Sequence, residues 1–591
     1  MNTRVLLVYP KFPPSYWGYE YALEFVGKKS SMPPLGLLTV AGMLPPDFDV
    51  RLVDLNVRAL ESADLEWSDV IFTSTMLVQK DSLEEVVAAA NQAGVPVVAG
   101  GPHPTSFYEE IAGVDHFVLD EVEDVLPKFL EDFRGGRAER IYRAQEKPDI
   151  SNTPLPRYDL IDFRDYGSMA LQFSRGCPFD CEFCDITKLF GRISRTKTNQ
   201  QVLAEMDLLY GLGWRGPVFL VDDNFIGNKR RALELLPDVA NWQRQRNYPF
   251  SMFTEASVNL ARMDALVDSM VDSGFSMVFL GIETPNHEAL LKTKKKQNVV
   301  KADGDFLFNA VRKLQTKGLE VTGGFILGLD GDREDAFDSQ IQFIQEAGIP
   351  MAMVGLLTAV KGTDLYERLL KEGRLRGEST GNNVSISLNF ETELPREVLV
   401  EGYKRVLNTL YDPTLSNYFD RCLTLLKHLK PTVHGVRKVG RNELRALVKS
   451  IRRQLFSRQG LSYLRFFTKV LRHHPRMFPE AGRLAIVGYH FQKVTSQQIA
   501  VYEFQTNVES ELATLQEAFA SIQEASTQRM SELRTYMQEL FRRVSSEYEE
   551  IDEEFREHVS DALHGFQSTW RAHFEDLDGF LSKPDLPGTQ S

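Results

Sequence analysis

Cysteine is scarce in this chain: four occur in 591 residues, and three of them, Cys177, Cys181 and Cys184, fall within eight positions. That clustering argues against a disulfide framework and for a reducing compartment where thiolates bind metal. Long apolar runs are missing too. No stretch approaches the roughly 18 residues that would span a bilayer, so no transmembrane helix is expected. The N-terminus, MNTRVLLVYP, has one arginine, a short apolar run, no small-residue cleavage site, and Pro10 to end it. It reads as a first strand rather than a signal peptide, and the protein is expected in the cytoplasm. Histidine is absent between His116 and His287, which removes a local Cys3His zinc site.

What is present is ordinary globular material with an uneven charge distribution. The net charge of -14 hides a basic block and an acidic one: Lys427 to Lys493 holds 16 Lys or Arg against Glu443 and Glu480, whereas Val501 to the end holds 19 acids against seven bases. The blocks say more about partners than the overall charge does.

Short apolar runs at 5–10, 50–56, 70–75, 95–101 and 116–121 alternate with amphipathic stretches such as Asp81 to Ala93. Strands recurring between helices require crossovers and a parallel sheet. Residues 1–140 are therefore expected to form a doubly wound, flavodoxin-like domain, with ligands at the carboxyl ends of its strands. Residues 141–164, rich in charge and proline, read as a linker. A second alternating series, with strands near 169–175, 217–223, 250–255, 276–283, 319–329 and 351–357, makes residues 165–400 a partial (β/α)6 barrel. The fold class is thus α/β with an α-helical C-terminal extension: a basic helical domain over 401–500 and an acidic tail over 501–591. In the tail, Val508, Leu512, Leu515, Phe519 and Ile522 follow coiled-coil spacing, continued by Leu533, Met537, Leu540, Val544, Ile551, Phe555 and Val559. A hairpin, or self-association through 508–581, is expected there.

The chemistry centres on Ser174-Arg175-Gly176-Cys177-Pro-Phe-Asp-Cys181-Glu-Phe183-Cys184, directly after a predicted strand. Three thiolates on one tight loop can ligate three irons of a cubane and leave the fourth open. Structural zinc is the rival, but it wants four closed ligands.

CxxxCxxC with an aromatic before its last cysteine resembles the cluster loop of radical S-adenosylmethionine (SAM) enzymes, and the six β/α units that follow strengthen the likeness. The resemblance implies a 4Fe-4S cluster on Cys177, Cys181 and Cys184 and a SAM molecule on the open iron. Phe183 belongs to that loop. Asp222, Asp223 and Asn224 end the second barrel strand, Glu255 the third, and Gly281 and Glu283 the fourth, where the family contacts SAM. Gly324-x-Ile326-x-Gly328 resembles its adenine-packing segment, although Gly331 stands where a glutamate often follows.

The first domain resembles the cobalamin-binding domain of cobalamin-dependent radical SAM enzymes. This rests on Gly100-Gly101-Pro102-His103-Pro104-Thr105, on Asp54 and Asn56, and on Ser74 and Thr75; Tyr9 and Glu121 join them at strand ends. A DxHxxG motif is absent, so His103 is expected to hydrogen-bond near the cofactor rather than ligate cobalt. The stretches VDDNFIGN, GIETP, GLDGD and KGTDLYERL narrow the likeness to the subgroup containing the hopanoid C-2 methylase, over roughly residues 1 to 420.

The resemblance implies transfer of a methyl group from methylcobalamin to an unactivated carbon of a hydrophobic or other small-molecule substrate through a 5'-deoxyadenosyl radical, with an external electron donor for the cluster. A non-methylating cobalamin-dependent radical enzyme, performing oxidative cyclisation or ring rearrangement, is the alternative; a non-enzymatic corrinoid or scaffold protein is a third. No Ser-His-Asp constellation is needed for such chemistry. The arginine-rich, leucine-rich segment 441–476 could lie peripherally on the inner face of a membrane, serve as a solvated face, or pair with the acidic tail. No RNA-binding module accompanies it, so nucleic acid is not an expected partner. Cys422, remote from the others, is read as a packing residue.

Overall fold

The computed structural model describes residues 3–300, 304–431, 440–520 and 527–581. They divide into two compact units, Met1–Gln492 and Lys493–Ser591.

The first unit contains two parallel six-stranded sheets. The N-terminal one comprises β1 (Thr3–Tyr9), β2 (Phe48–Asp54), β3 (Val70–Ser74), β4 (Val97–Gly100), β5 (His116–Leu119) and β6 (Ile141–Arg143), in the order β2-β1-β3-β4-β5-β6. The order reverses beside β1, which opens a crevice at the strand carboxyl ends. Both faces are covered. Leu6 and Val8 of β1 enter one apolar core, with Ile71 and Val97. Val5 and Leu7 enter the other, with Phe72 and Phe129. Near-continuous apolar strands are what a parallel sheet buried on both sides requires.

β6 corrects the sequence reading, which took 141–164 as linker throughout. Its three residues pair with Phe117–Leu119 of β5. So short a run, set among glycines and charges, has no periodicity to announce it.

The second sheet is the open barrel: β7 (Met169–Leu171), β10 (Pro217–Leu220), β11 (Ser251–Ala256), β12 (Phe275–Glu283), β13 (Glu320–Leu327) and β14 (Ala352–Leu356), each paired parallel with the next. Between the first two, β8 (Ser174–Arg175) and β9 (Arg195–Thr196) form a small antiparallel ribbon. The expected strand at 169–175 is therefore broken: its last two residues leave the barrel and clamp the cysteine loop.

Helices take over after residue 395, beginning with Arg396–Leu410 and Ser416–His428 and continuing through Arg441–Leu455 and Gly460–His473. Cys422 is fully buried in the second of these, as a packing residue should be. A long helix, Phe478–Ala520, follows.

In the second unit the helices Thr527–Glu550 and Glu553–Leu581 pack on each other and on the preceding helix. Tyr536 donates to Glu511 at 2.6 Å and Gln505 to the carbonyl of His558 at 2.8 Å. Val508, Leu515, Met537, Leu540, Val544, Ile551, Phe555 and Val559 are all buried. The apolar stripe is thus satisfied within the chain, as an intramolecular hairpin would satisfy it. Ile522 lies outside the described residues.

Candidate active site

The cysteine loop is held from several sides. Gly176 adopts φ +92°, and a Cβ there would lie 2.9 Å from the carbonyl oxygens of both Gly191 and Ile193. The turn therefore needs glycine on two counts. Its amide donates to Asp223 Oδ2 at 2.7 Å, and Cys177 N donates to the Gly191 carbonyl at 3.2 Å. Asp222 is buried and accepts from Phe173 N at 2.8 Å and Ser174 Oγ at 2.6 Å. Both oxygens thus fasten the strand leading into the loop, so Asp222 works through the backbone rather than facing a ligand. Glu182, between the cysteines, is buried and bridged to Arg368 at 2.8 Å. That arginine comes from the KGTDLYERL stretch, which accounts for its value as a sequence marker.

Cys177, Cys181 and Cys184 are half-buried and free. Burial pushes the Cys177 and Cys184 thiols up. Amide donors face two sulfurs: Asn224 Nδ2 lies 3.7 Å from Cys177 Sγ, and Gln297 Nε2 lies 3.4 Å from Cys181 Sγ. Among the described residues no set of three His, Cys, Asp or Glu converges on one ion. Three thiols spread along a loop, with N–H donors aimed at sulfur, fit a cluster better than a single zinc.

Beyond the loop lie three carboxylates with one cation. Glu255, at the end of β11, is half-buried, and burial with Asp223 and Glu283 beside it raises its carboxyl to about 8. Burial likewise raises Asp223 to about 7 and Asp222 to about 6. Glu283 is buried at φ 65°, an uncommon conformation for a residue with a side chain, and accepts from Lys295 Nζ at 2.6 Å. A Cβ on Gly281 would come within 2.8 Å of that ammonium, so the bare strand makes room for the pair. Buried oxygens of Asn298 and Gln340 have no hydrogen-bond partner. An acid-rich cluster of this kind fits a ligand bearing ammonium and sulfonium charge, as SAM does.

Of the other expected contacts, Phe183 and Ile326 pack in an apolar cluster with Leu329 and Leu357. A Cβ on Gly324 would meet the Phe279 ring at 3.0 Å, and one on Gly328, at φ +89°, would meet Leu399. Those glycines are already explained by packing. Asn224 donates to Ser257 Oγ at 3.2 Å. Lys295, Gln297, Ser257 and Gln340 were not singled out in the sequence: Ser257 directly follows β11, Lys295 and Gln297 lie just past the short helix His287–Lys292, and Gln340 is in the helix Asp335–Ala347.

At the carboxyl edge of the N-terminal sheet, the expected residues separate into two groups. Asp54 is buried and accepts from Asn56 N, Asn56 Nδ2 and Tyr166 Oη at 2.9, 2.7 and 3.0 Å. Asn56 also donates to the Pro10 carbonyl. Glu121 gives both oxygens to Arg175 and Arg195, at 3.0 and 2.7 Å, while Glu123 takes Arg175 at 2.8 Å. These acids tie the sheet to the barrel, so Asp54, Asn56 and Glu121 have their hydrogen bonding taken up by protein. Gly100 is bare because the Val118 carbonyl sits 2.8 Å from where its Cβ would be.

The second group faces space. Ser74, Gly101 and Thr105, with the ion-paired Glu121, line a cavity of about 220 Å³, closed on the barrel side by Gln172, Arg175, Phe190 and Val221. Next to it Thr75 Oγ1 and His103 Nδ1 are buried without a hydrogen-bond partner. Burial lowers His103 to about 4, leaving it neutral. The His103 ring packs at a tilt against Phe107, centroids 5.6 Å apart, Pro104 is buried, and Tyr9 sits edge-on to Phe12 at 5.7 Å. Bare glycine and unspent neutral polar atoms between two sheets fit a large, flat cofactor.

Comparison with known proteins agrees. The radical SAM superfamily model matches residues 171–344, the B12 binding domain model residues 28–130, and a domain of unknown function residues 363–503. An uncharacterized methyltransferase of Synechocystis sp. is 44% identical over 507 residues, 84% of this chain and 93% of that protein. The hopanoid C-2 methylase of Rhodopseudomonas palustris is 32% identical over 417 residues, 70% of this chain and 77% of its own length. The chain belongs to the cobalamin-dependent radical SAM methyltransferases, in the group of the hopanoid C-2 methylase. The family's cofactors are a 4Fe-4S cluster, SAM and cobalamin. In fold the chain is similar to the radical SAM methyltransferase TsrM of Kitasatospora setae, with TM-score 0.53 at 15% identity, covering 82% of this chain and 99% of that one.

Proposed function

We propose that this methyltransferase acts on an unactivated carbon of an apolar small molecule bound inside the barrel. The observation that carries the reading is an aromatic wall. In the register of the sheet Phe279 lies beside Glu255, and Phe219 beside Phe253. Cross-strand neighbours point to one face, and residues two apart on a strand share it. Phe253 and Phe279 are thus on the Glu255 face, and Phe219 stacks on Phe253 with centroids 4.8 Å apart. Trp17, from the segment after β1, covers Phe279 at 4.9 Å.

When bound, the cofactors supply an electron, a 5'-deoxyadenosyl radical that takes hydrogen from substrate, and a methyl group to replace it. The protein's own residues do the rest. Cys177, Cys181 and Cys184 hold the cluster, with Asn224 and Gln297 donating to sulfur. Asp223, Glu255 and the Lys295-oriented Glu283 receive the charged end of SAM. Ser74, Thr75, Gly101, His103 and Thr105 receive cobalamin. The aromatic wall positions the substrate carbon and keeps water away, and no side chain has to move a proton. A one-electron donor completes the partners, and a substrate of this kind would be met at the inner face of a membrane.

The test is incubation of reconstituted protein with methyl-labelled SAM, a reductant and a lipid extract from a strain lacking the gene. Label should enter an apolar product with wild type and not with Cys177→Ala. Release of 5'-deoxyadenosine without label in any product would replace methylation by a rearrangement or cyclisation.

A further inference from the structure

The helices Arg441–Leu455 and Gly460–His473 bury polar side chains while leaving large apolar ones exposed. Between them lies a polar network: Ser450 and Gln454 are fully buried, Ser450 Oγ meets Tyr463 Oη at 3.1 Å, and Gln454 donates to Ser450 at 2.9 Å. Ala446, Phe466, Phe467 and Val470 are buried as well, but other large apolar residues point out. Leu444, Val448 and Ile451, at i, i+4 and i+7, form one exposed stripe; Leu461, Leu464 and Leu471 form another. At the turn between the helices, Phe456 is 83% exposed and Leu461 86% exposed. Scattered single apolar residues need no explanation, but two contiguous stripes meeting at a bare aromatic tip do.

The surroundings say what covers them. Arg445, Arg452, Arg458, Arg465 and Arg472 are exposed and make no ion pair among the described residues. Glu443 is the one acid between Arg441 and Arg476. Apolar stripes flanked by free guanidinium groups match a bilayer surface: the side chains enter the acyl boundary while the arginines meet phosphate. A protein partner with an apolar groove would not call for so one-sided a charge.

We propose that this helical pair is a monotopic docking surface for an anionic phospholipid bilayer. It is placed to serve the barrel. Arg453 and Lys449 bind Glu24 in the helix Glu20–Val26. Trp17, which closes the aromatic wall over Phe279, lies three residues before that helix. An apolar substrate leaving the bilayer at the docked hairpin would have one short element to pass. Docking itself is independent of which reaction follows, and its test reads binding alone.

The measurement is flotation of the full-length protein with vesicles of phosphatidylglycerol and phosphatidylcholine, against vesicles of phosphatidylcholine only. Wild type should float with the anionic vesicles and be released as salt shortens the range of the arginine field. Phe456→Ser combined with Leu461→Ser should lower partitioning about tenfold or more, as should Arg452→Gln with Arg458→Gln and Arg465→Gln. Both variants should keep wild-type circular dichroism and cluster absorption, since every altered residue is exposed. Wild type that ignores anionic vesicles, binding indifferent to salt, or folded variants that bind as wild type does would each overturn the proposal. So would self-association of wild type, abolished by the same substitutions, in place of vesicle binding.

Discussion

At the scale of single residues, the acids divide by whether their oxygens are already taken. Glu121 is taken twice over, and replacing it by Gln strips Arg195 of its carboxylate and leaves Arg175 with Glu123 alone. Stripping one partner from a buried pair costs about 3–5 kcal/mol, so Glu121→Gln should lower the thermal midpoint by several degrees, read by circular dichroism. Glu255 is the opposite case. Burial and neighbouring carboxylates raise it to about 8, so the folded, ligand-free protein holds a proton there that the unfolded chain gives up near pH 4.5. Stability from this group falls as pH rises from about 4.5 to 8, because the folded state binds more protons over that window. A cationic ligand beside it favours the carboxylate. SAM binding should therefore release a proton and strengthen with pH up to about 8, measured by calorimetry in buffers of different ionisation enthalpy; Glu255→Gln should flatten that slope between about 7 and 8, above the range of Asp223. The sequence marked both residues as strand-end acids. It could not tell them apart, because the arginines that engage Glu121 are 54 and 74 residues further along the chain.

Elements were more legible than contacts. Five strands of the first sheet and all six of the barrel coincide with apolar runs, since a parallel strand buried on both faces has to be apolar along its length. Two pieces escaped notice, β6 and the β8–β9 ribbon, each too short to show a period and each stabilised by a neighbour rather than by its own composition. The ribbon matters most, because it closes the cysteine loop. Gly176→Ala would place a methyl group 2.9 Å from two carbonyl oxygens at a φ that L residues resist. The loop should open, and the variant should reconstitute with less than about a tenth of the wild-type visible cluster absorbance, as a misplaced ligand set allows. Loss of fold is not expected, because the barrel strands on either side do not depend on this turn.

For the whole molecule, the sequence conveyed the order of parts and little of how they join. Every residue assigned to the cluster, SAM or cobalamin lies within Met1–Gln492. A chain ending at Gln492 should accordingly retain cluster and corrin absorption while losing the acidic helices; failure to bind cobalamin would give the tail a part in the site that its sequence does not suggest. The tail's apolar stripe was plain in the spacing of Leu515, Met537 and Val544, yet only the folded chain shows that these residues are buried within it.

The hydrogen bond from Tyr166 to Asp54, with the pairs from Arg175 and Arg195 to Glu121 and Glu123, bears on how such enzymes can be recombined. A chimera that exchanged the first 140 residues for those of a distant relative would inherit a lock without its key: two arginines and a tyrosine facing whatever the donor carries at those three positions. Shuffling between relatives should succeed where the donor brings acids in the same register and fail elsewhere, however well its sheet superposes. Modularity here is limited by a seam of charge, and that seam is the place to begin if the corrinoid module is to be moved.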